Sequence, residues 1–451
     1  MTGLEVGLYS VIAMLVLIYL GMYVPVVLAL ISFVGVWVIK DNVNIAVSLL
    51  WLAAAKTVMN FLFGVIPLFV LMGLLTSAAG MGRDTYMVAH FFLRRVRGGL
   101  GMATVIANAI FAAITGVSIA SATVFSRIAV PEMLRFDYNK RFAVGTVAGS
   151  SVLGMLIPPS ILLIIYALIA EESVGDMFIA GVGPGLLLTF AYCTMILFMA
   201  YVFPSAVYNP QALARLGEAQ SADEDAMTLA DVFVKIIPIF LLVAVVLGGI
   251  YAGLYTPTEA GAAGAFVAFL FALFRRALTV RRMWDILVET GHITATLLLL
   301  IIAASMYSRM LGISGLPTQL GNWINGLHAS LALLLFIYVV VVLILGTIID
   351  SVSIMLITVP LFLTVLAPFN VDLVWFGIVT IIAVEIGLLT PPLGLAVYVI
   401  KSTLQNEDFT LADIFIGAAP YAVTMLIVLI ITIIFPDISL FLVDLKKSLG
   451  K

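Results

Sequence analysis

A chain of 451 residues that is 64% hydrophobic and only 10% charged is excluded from the soluble globular class. Apolar runs of helix-spanning length recur from end to end, which makes it an all-α polytopic membrane protein. A formal net charge of -3 selects no partner, the single Cys193 leaves no disulfide framework, and His90, His292 and His328 are too scattered to bind a transition metal, so no cofactor is predicted.

In chain order, the opening MTGLEVGLYS lacks a basic n-region, and the first apolar segment is expected to be a retained helix. Apolar segments near 7–21, 25–39 and 60–79 precede a pair at 101–115 and 118–134, followed by 142–168 and 177–203. An arm of about 14 to 17 helical residues covers only about 21 to 25 Å of a ~30 Å hydrocarbon core. The stretch 101–134 is therefore predicted to be a re-entrant hairpin whose tip, ITGVSIASA at 114–122, stops inside the membrane. The helix predicted over 142–168 is broken at GMLIPPS, 154–160. A polar stretch at 204–235, with Glu218, Asp223, Glu224 and Asp225, reads as a linker.

The same features then return. IYLGMYVP at 18–25 recurs as IYAGLYTP at 250–257, Pro131 as Pro360, Pro158 as Pro391 and Asp176 as Asp413, in one order and at nearly constant spacing. This describes a duplicated unit, 1–203 and 236–451. The second unit carries a predicted hairpin at 329–365, with the tip TIIDSVSI at 347–354, and a broken helix at 373–400, interrupted at GLLTPPLG. Five crossings per unit, an odd number, invert one unit relative to the other. Basic residues agree with that expectation. Placing Arg83, Arg94, Arg95 and Arg97 in the cytoplasm also places Arg135, Lys140, Arg141, Arg275, Arg276, Arg281 and Arg282 there. The counterpart loops GNWINGLH and APFNVD fall outside and carry no Lys or Arg. Both termini are then expected outside and the linker inside, with Lys446, Lys447 and Lys451 running against the rule.

Backbone exposed at membrane depth is tolerated only where protein buries it or where it lines a cavity. Successive prolines leave carbonyl oxygens without helix partners. Carbonyls facing Ser and Thr hydroxyls make an all-oxygen, weakly charged site that suits desolvated Na+. A single Pro-Pro step reads equally as a kink; its duplication opposite a hydroxyl-rich tip favours the site. Asp350, in an otherwise apolar run, is either a cation ligand or the N-cap of the outgoing hairpin helix, and both readings need an unwound tip. Thr256, Pro257 and Glu259 read as a capping box. Glu385 beside the second break and Arg127 beyond the first tip are weaker candidates, and Arg127 also reads as a side chain reaching for the cytoplasmic surface. The chain has no phosphate-binding loop for a nucleotide-driven pump.

With PPS at 158–160, YTPTEAGAAGA at 255–265, IDSVSIMLITVPL at 349–361 and LLTPPLGLAVYV on the page, the chain resembles the large membrane (M) subunit of tripartite ATP-independent periplasmic (TRAP) transporters over essentially its whole length. The resemblance implies Na+-coupled uptake of an organic acid of the C4-dicarboxylate or sialic-acid type across a bacterial inner membrane, by an elevator motion. It implies two partners, a small four-helix membrane subunit and a periplasmic substrate-binding protein. Carried over residue by residue, it implies Na+ sites at Ser118, Ser121, Gly154, Ile157 and Pro159, and at Gly346, Asp350, Ser353, Thr390 and Pro392. Substrate candidates are Ser121, Ser160, Arg127, Ser351 and Glu385. Val117 stands where the family's tip usually has a hydroxyl, which leaves that position only its carbonyl. The rival readings are a stand-alone Na+-dependent carboxylate carrier, an intramembrane enzyme using Asp350 and Glu385, and a passive channel. The enzyme is disfavoured because the duplicated residues are prolines and hydroxyls, not acids.

Overall fold

The computed structural model describes residues 2–209, 227–326, 330–392, 394–404 and 409–449. Glu218, Asp223, Glu224, Asp225, His328 and Lys451 lie outside the described residues, as does part of the predicted linker. The first half runs α1 (Gly3–Tyr19), α2 (Val24–Lys40), α3 (Val43–Val58), α4 (Val65–Ala78), α5 (Met81–Leu93), α6 (Gly99–Thr115), α7 (Ser118–Arg135), α8 (Lys140–Leu156), α9 (Ile161–Ala170) and α10 (Val174–Val202). The second runs α11 (Leu229–Tyr251), α12 (Pro257–Phe274), α13 (Val280–Ser314), α14 (Leu316–Gly326), α15 (Leu331–Gly346), α16 (Ser351–Leu366), α17 (Leu373–Leu388), α18 (Leu395–Thr403), α19 (Leu411–Ile434) and α20 (Asp437–Leu449).

Local sequence sets the starts of these helices. Thr256 Oγ1 accepts from the Glu259 N–H at 3.3 Å and the Glu259 carboxylate accepts from the Thr256 N–H at 2.8 Å, the reciprocal pair expected there, with Pro257 in the first turn. Thr410 and Asp413 repeat the device at α19. Six helices have the length and apolar composition to cross a membrane, and two bent pairs, α4 with α5 at 63° and α8 with α9 at 42°, bring that to eight among the described residues. Exposed apolar side chains such as Tyr9, Trp51 and Phe240 crowd α1, α3 and α11, as expected where lipid is the solvent.

The structure departs from the sequence reading in four places. Residues 43–58, read as no segment at all, form α3. Residues 81–93, read as part of a loop, form α5, which folds back against α6. The helix α11 begins at Leu229, inside the stretch read as linker. The tail forms α20, docked on α10 through Lys446 and Asp176 at 2.7 Å.

Helices pair largely between halves. α2 packs on α13 and α4 on α12; α8 packs on α19 and α17 on α10; α7 packs on α18 and α16 on α9. Each pairing thus occurs twice with the halves exchanged. Ion pairs reinforce the crossing: Asp84 of α5 accepts from Lys235 of α11 at 2.9 Å and from Arg275 just beyond α12. Asp413 of α19 meets Arg141 at 2.8 Å and Lys140 at 3.8 Å, both on α8.

Candidate ion and substrate site

The first hairpin turns between α6 and α7 through Gly116, whose φ of +65 is the left-handed conformation that glycine adopts without strain. A Cβ there would stand 2.4 Å from the Pro159 carbonyl oxygen, so only glycine lets the tip lie on the break. The Ile161 N–H, first in α9, donates to the Gly116 carbonyl at 3.2 Å. On the other side of the break, a Cβ on Gly154 would meet the Ser118 backbone at 3.1 Å. Ser160 spans the interruption: its hydroxyl donates to the Met155 carbonyl at 2.5 Å and caps α9 by accepting from the Leu163 N–H at 3.5 Å. Ser118, Ser121 and Ser160 are all buried, and the Ser121 hydroxyl has no hydrogen-bond partner among the described residues. Ser118 thus lies against Gly154, and Gly116 against Pro159 and Ser160, with Ser121 one turn along α7 and Ile157 within the break.

The second hairpin repeats the contact with different residues. A Cβ on Gly346, at the end of α15, would lie 2.6 Å from Gly387 Cα in α17, which fixes two helix backbones in contact. Asp350 caps α16: its carboxylate accepts from the Ser353 N–H at 3.0 Å and from the Ser353 hydroxyl at 2.5 Å. Thr390, just past α17, donates its hydroxyl to the Ile386 carbonyl at 2.8 Å and its N–H to the Gly387 carbonyl at 3.0 Å. Pro391 and Pro392 follow, both exposed. A cavity of ≈ 430 Å³ opens here, lined by Gly346, Asp350, Leu388, Gly394 and Tyr398, with Ile18 and Val24 of the α1–α2 corner on its far wall.

Arg127 is exposed two turns beyond the first tip, and Ser351 is buried beside Asp350. Glu385 is 1% exposed, deep in α17. Gly116 and Gly387, not singled out as site residues in the sequence reading, carry the close backbone approaches. Their signal was a glycine within a tip or at the head of a Pro-Pro break. At both tips the available donors are oxygens, from carbonyls, hydroxyls and one carboxylate, and the partnerless Ser121 hydroxyl adds a vacant lone pair. This donor set fits a hard cation such as Na+ and is unsuited to a soft transition metal. Among the described residues no His/Cys/Asp/Glu cluster of metal-binding type occurs.

The family described as tripartite ATP-independent periplasmic transporter, DctM component, matches residues 11–438. The chain is 33% identical to the C4-dicarboxylate TRAP transporter large permease protein DctM of Pseudomonas aeruginosa, over 83% of this chain and 84% of that one. It is 30% identical to the sialic acid TRAP transporter large permease protein SiaM of Vibrio cholerae, over 87% and 88%. In fold it is similar to the YdaH transporter of Alcanivorax borkumensis, with a TM-score of 0.58, 13% identity and coverage of 85% and 89%.

Proposed function

Because the chain belongs to the DctM family of TRAP transporter permeases, multi-pass membrane proteins and not enzymes, we propose that it couples Na+ to the uptake of an organic acid anion. The observation that carries this reading is the doubled tip-on-break contact, Gly116 on Pro159 and Gly346 on Gly387, each beside oxygen donors alone. Ser118, Ser121, Gly154, Ile157 and Pro159 would hold one Na+; Gly346, Asp350, Ser353, Thr390 and Pro392 would hold the other. Bound there, Na+ would supply the positive charge beside which an anion can rest, offsetting the Asp350 carboxylate at the second tip. Ser121, Ser160 and Ser351 offer hydroxyl donors to its carboxylate, and Arg127, exposed beyond the tip, offers it a charge on approach. Relatives transporting C4-dicarboxylate and sialic acid support the substrate class.

The exchange of helix pairs between halves supports two units of inverted topology, since such units are related by an axis in the membrane plane. An elevator motion would then move the hairpins and broken helices, with α10 and α19, against the frame of α1–α4 and α11–α13. The orientation proposed has both termini outside and lies in a bacterial inner membrane. A small four-helix membrane subunit and a periplasmic substrate-binding protein are the partners the family implies. Reconstitution into proteoliposomes with both partners tests the reading: uptake from a panel of organic acids should require inward Na+. Uptake driven equally by K+ or H+ would overturn the coupling, and uptake without the binding protein would favour a stand-alone carrier.

A further inference from the structure

Of the buried acids Asp84, Glu385 and Asp413, only Glu385 has no ion pair among the described residues. Both its carboxylate oxygens are shut off from solvent and without a hydrogen-bond partner among the described residues. Gly387, two residues on, faces Gly346; two helical residues are about 200° apart, so Glu385 is turned to the opposite side of α17. There α10 and α19 pack against the helix. On α10 the Tyr192 hydroxyl is also buried and without a partner among the described residues. The Tyr192 ring packs edge-on against Tyr421 of α19 at 5.2 Å, and the Tyr421 hydroxyl lies 2.7 Å from Thr146 Oγ1 on α8.

The other titratable groups on helices touching α17 are engaged or uncharged. Tyr166 of α9 donates to the Leu373 carbonyl, and Tyr338 of α15 meets Thr358 and Thr380. Cys193 on α10 is a neutral thiol, and α16 has no titratable group beyond its cap, Asp350. Asp413 of α19 is held by Arg141, and Asp176 of α10 by Lys446 of α20. On α20, Asp437, Asp444 and Lys447 complete the charged set. An ionised carboxylate without water, donor or counter-charge is too costly to persist. A metal cation would need a shell of oxygens, and two carboxylate oxygens fall short of it. A proton needs no shell.

We propose that Glu385 is a proton-binding site, held as a neutral acid in the dry packing of α17 against its neighbours. Loading forms one O–H bond on the carboxylate with a proton drawn from water, and unloading returns that proton. The site stands whether or not the tips take Na+.

Infrared spectroscopy of the purified chain tests it without transport. At neutral pH, where exposed carboxyls are ionised, the wild type should show the carbonyl band of a protonated carboxylic acid. That band should shift in D2O and vanish in Glu385→Gln. Glu385→Asp, which keeps an acid at the same place on a shorter stem, should keep the band and move its frequency, which retains a test if Glu385→Gln fails to fold. A neutral-pH spectrum with no acid band, or a band unchanged in both variants, would overturn the proposal.

Discussion

At the first site Gly116 meets the Pro159 carbonyl and every nearby serine is buried; at the second Gly346 meets Gly387, and the prolines beyond it are exposed beside a cavity. The backbone contact is common to both while the side chains differ in a way that tracks their access to water. A carboxylate needs donors or water to remain charged. Asp350 has the Ser353 N–H, the Ser353 hydroxyl and an open cavity. In the closed site the matching N-cap is Val117, and the hydroxyls that follow it, on Ser118 and Ser121, are neutral and hence tolerable in dry surroundings. Duplication preserved the shape, and solvation decided which copy carries the charge.

The sharpest way to break this comparison is at the shared backbone contact. Gly116→Ala adds left-handed strain of about 1–2 kcal/mol and puts a Cβ against the Pro159 carbonyl, so Na+-dependent uptake should be abolished. Wild-type uptake would show that the tip need not touch the break. Asp350 comes next. Removing a charged hydrogen-bonding group of this kind costs about 1.5–3 kcal/mol, so Asp350→Ala should weaken Na+ activation of uptake by about tenfold to a hundredfold. Asp350→Asn still caps α16; if it transports like the wild type, the charge contributes nothing to the second site.

Ser121→Ala probes the closed site. Its hydroxyl has no partner among the described residues, so thermal stability should hold while Na+ affinity falls by about tenfold, the effect of roughly 1.4 kcal/mol. Equal Na+ dependence in both proteins would remove Ser121 from the site. The inverted relation of the two sites predicts that cysteines placed at Ser173 and Ser221, in a Cys193→Ser background, label differently with an impermeant thiol reagent. Ser173 should react from outside; equal labelling would end the inversion.

The smallest effect lies on the loop between α9 and α10. Partial burial, with the Asp372 and Asp176 carboxylates nearby, pushes the Glu172 carboxyl above the ordinary carboxylate range. A raised folded value favours the folded state below the ordinary range, and that contribution fades as pH rises through the raised value. Glu172→Gln should therefore gain a few tenths of a kcal/mol at neutral pH, allowing for solvent screening, and match the wild type in acid. A melting comparison at the two pH values checks the sign.

The tips were legible because Gly116, Ser118, Asp350 and the doubled prolines interrupt long apolar runs, and an interruption at membrane depth demands a reason. Helix α3 was not, since Asn44, Ser48 and Lys56 dilute its run and the polar start of its neighbour in the repeat, Arg281 to His292 in α13, hid the correspondence. The Asp84 cluster joins residues far apart in the chain, and no local period records such a contact. Glu385 was noticed for its nearness to the break, but its turn away from the second tip depended on which face of α17 meets α15.

The crossed pairing of helices has a consequence for synthesis. When α2, α4, α8 and α10 have left the ribosome, their principal partners α13, α12, α19 and α20 have not been made. The early half must wait in the bilayer with its mating faces covered by lipid or a helper, and a chain cut short in the polar connection lacks the second hairpin seat and leaves α7 and α8 of the first without α18 and α19. Quality control can thus recognise a truncated product by those uncovered faces, before any question of transport arises.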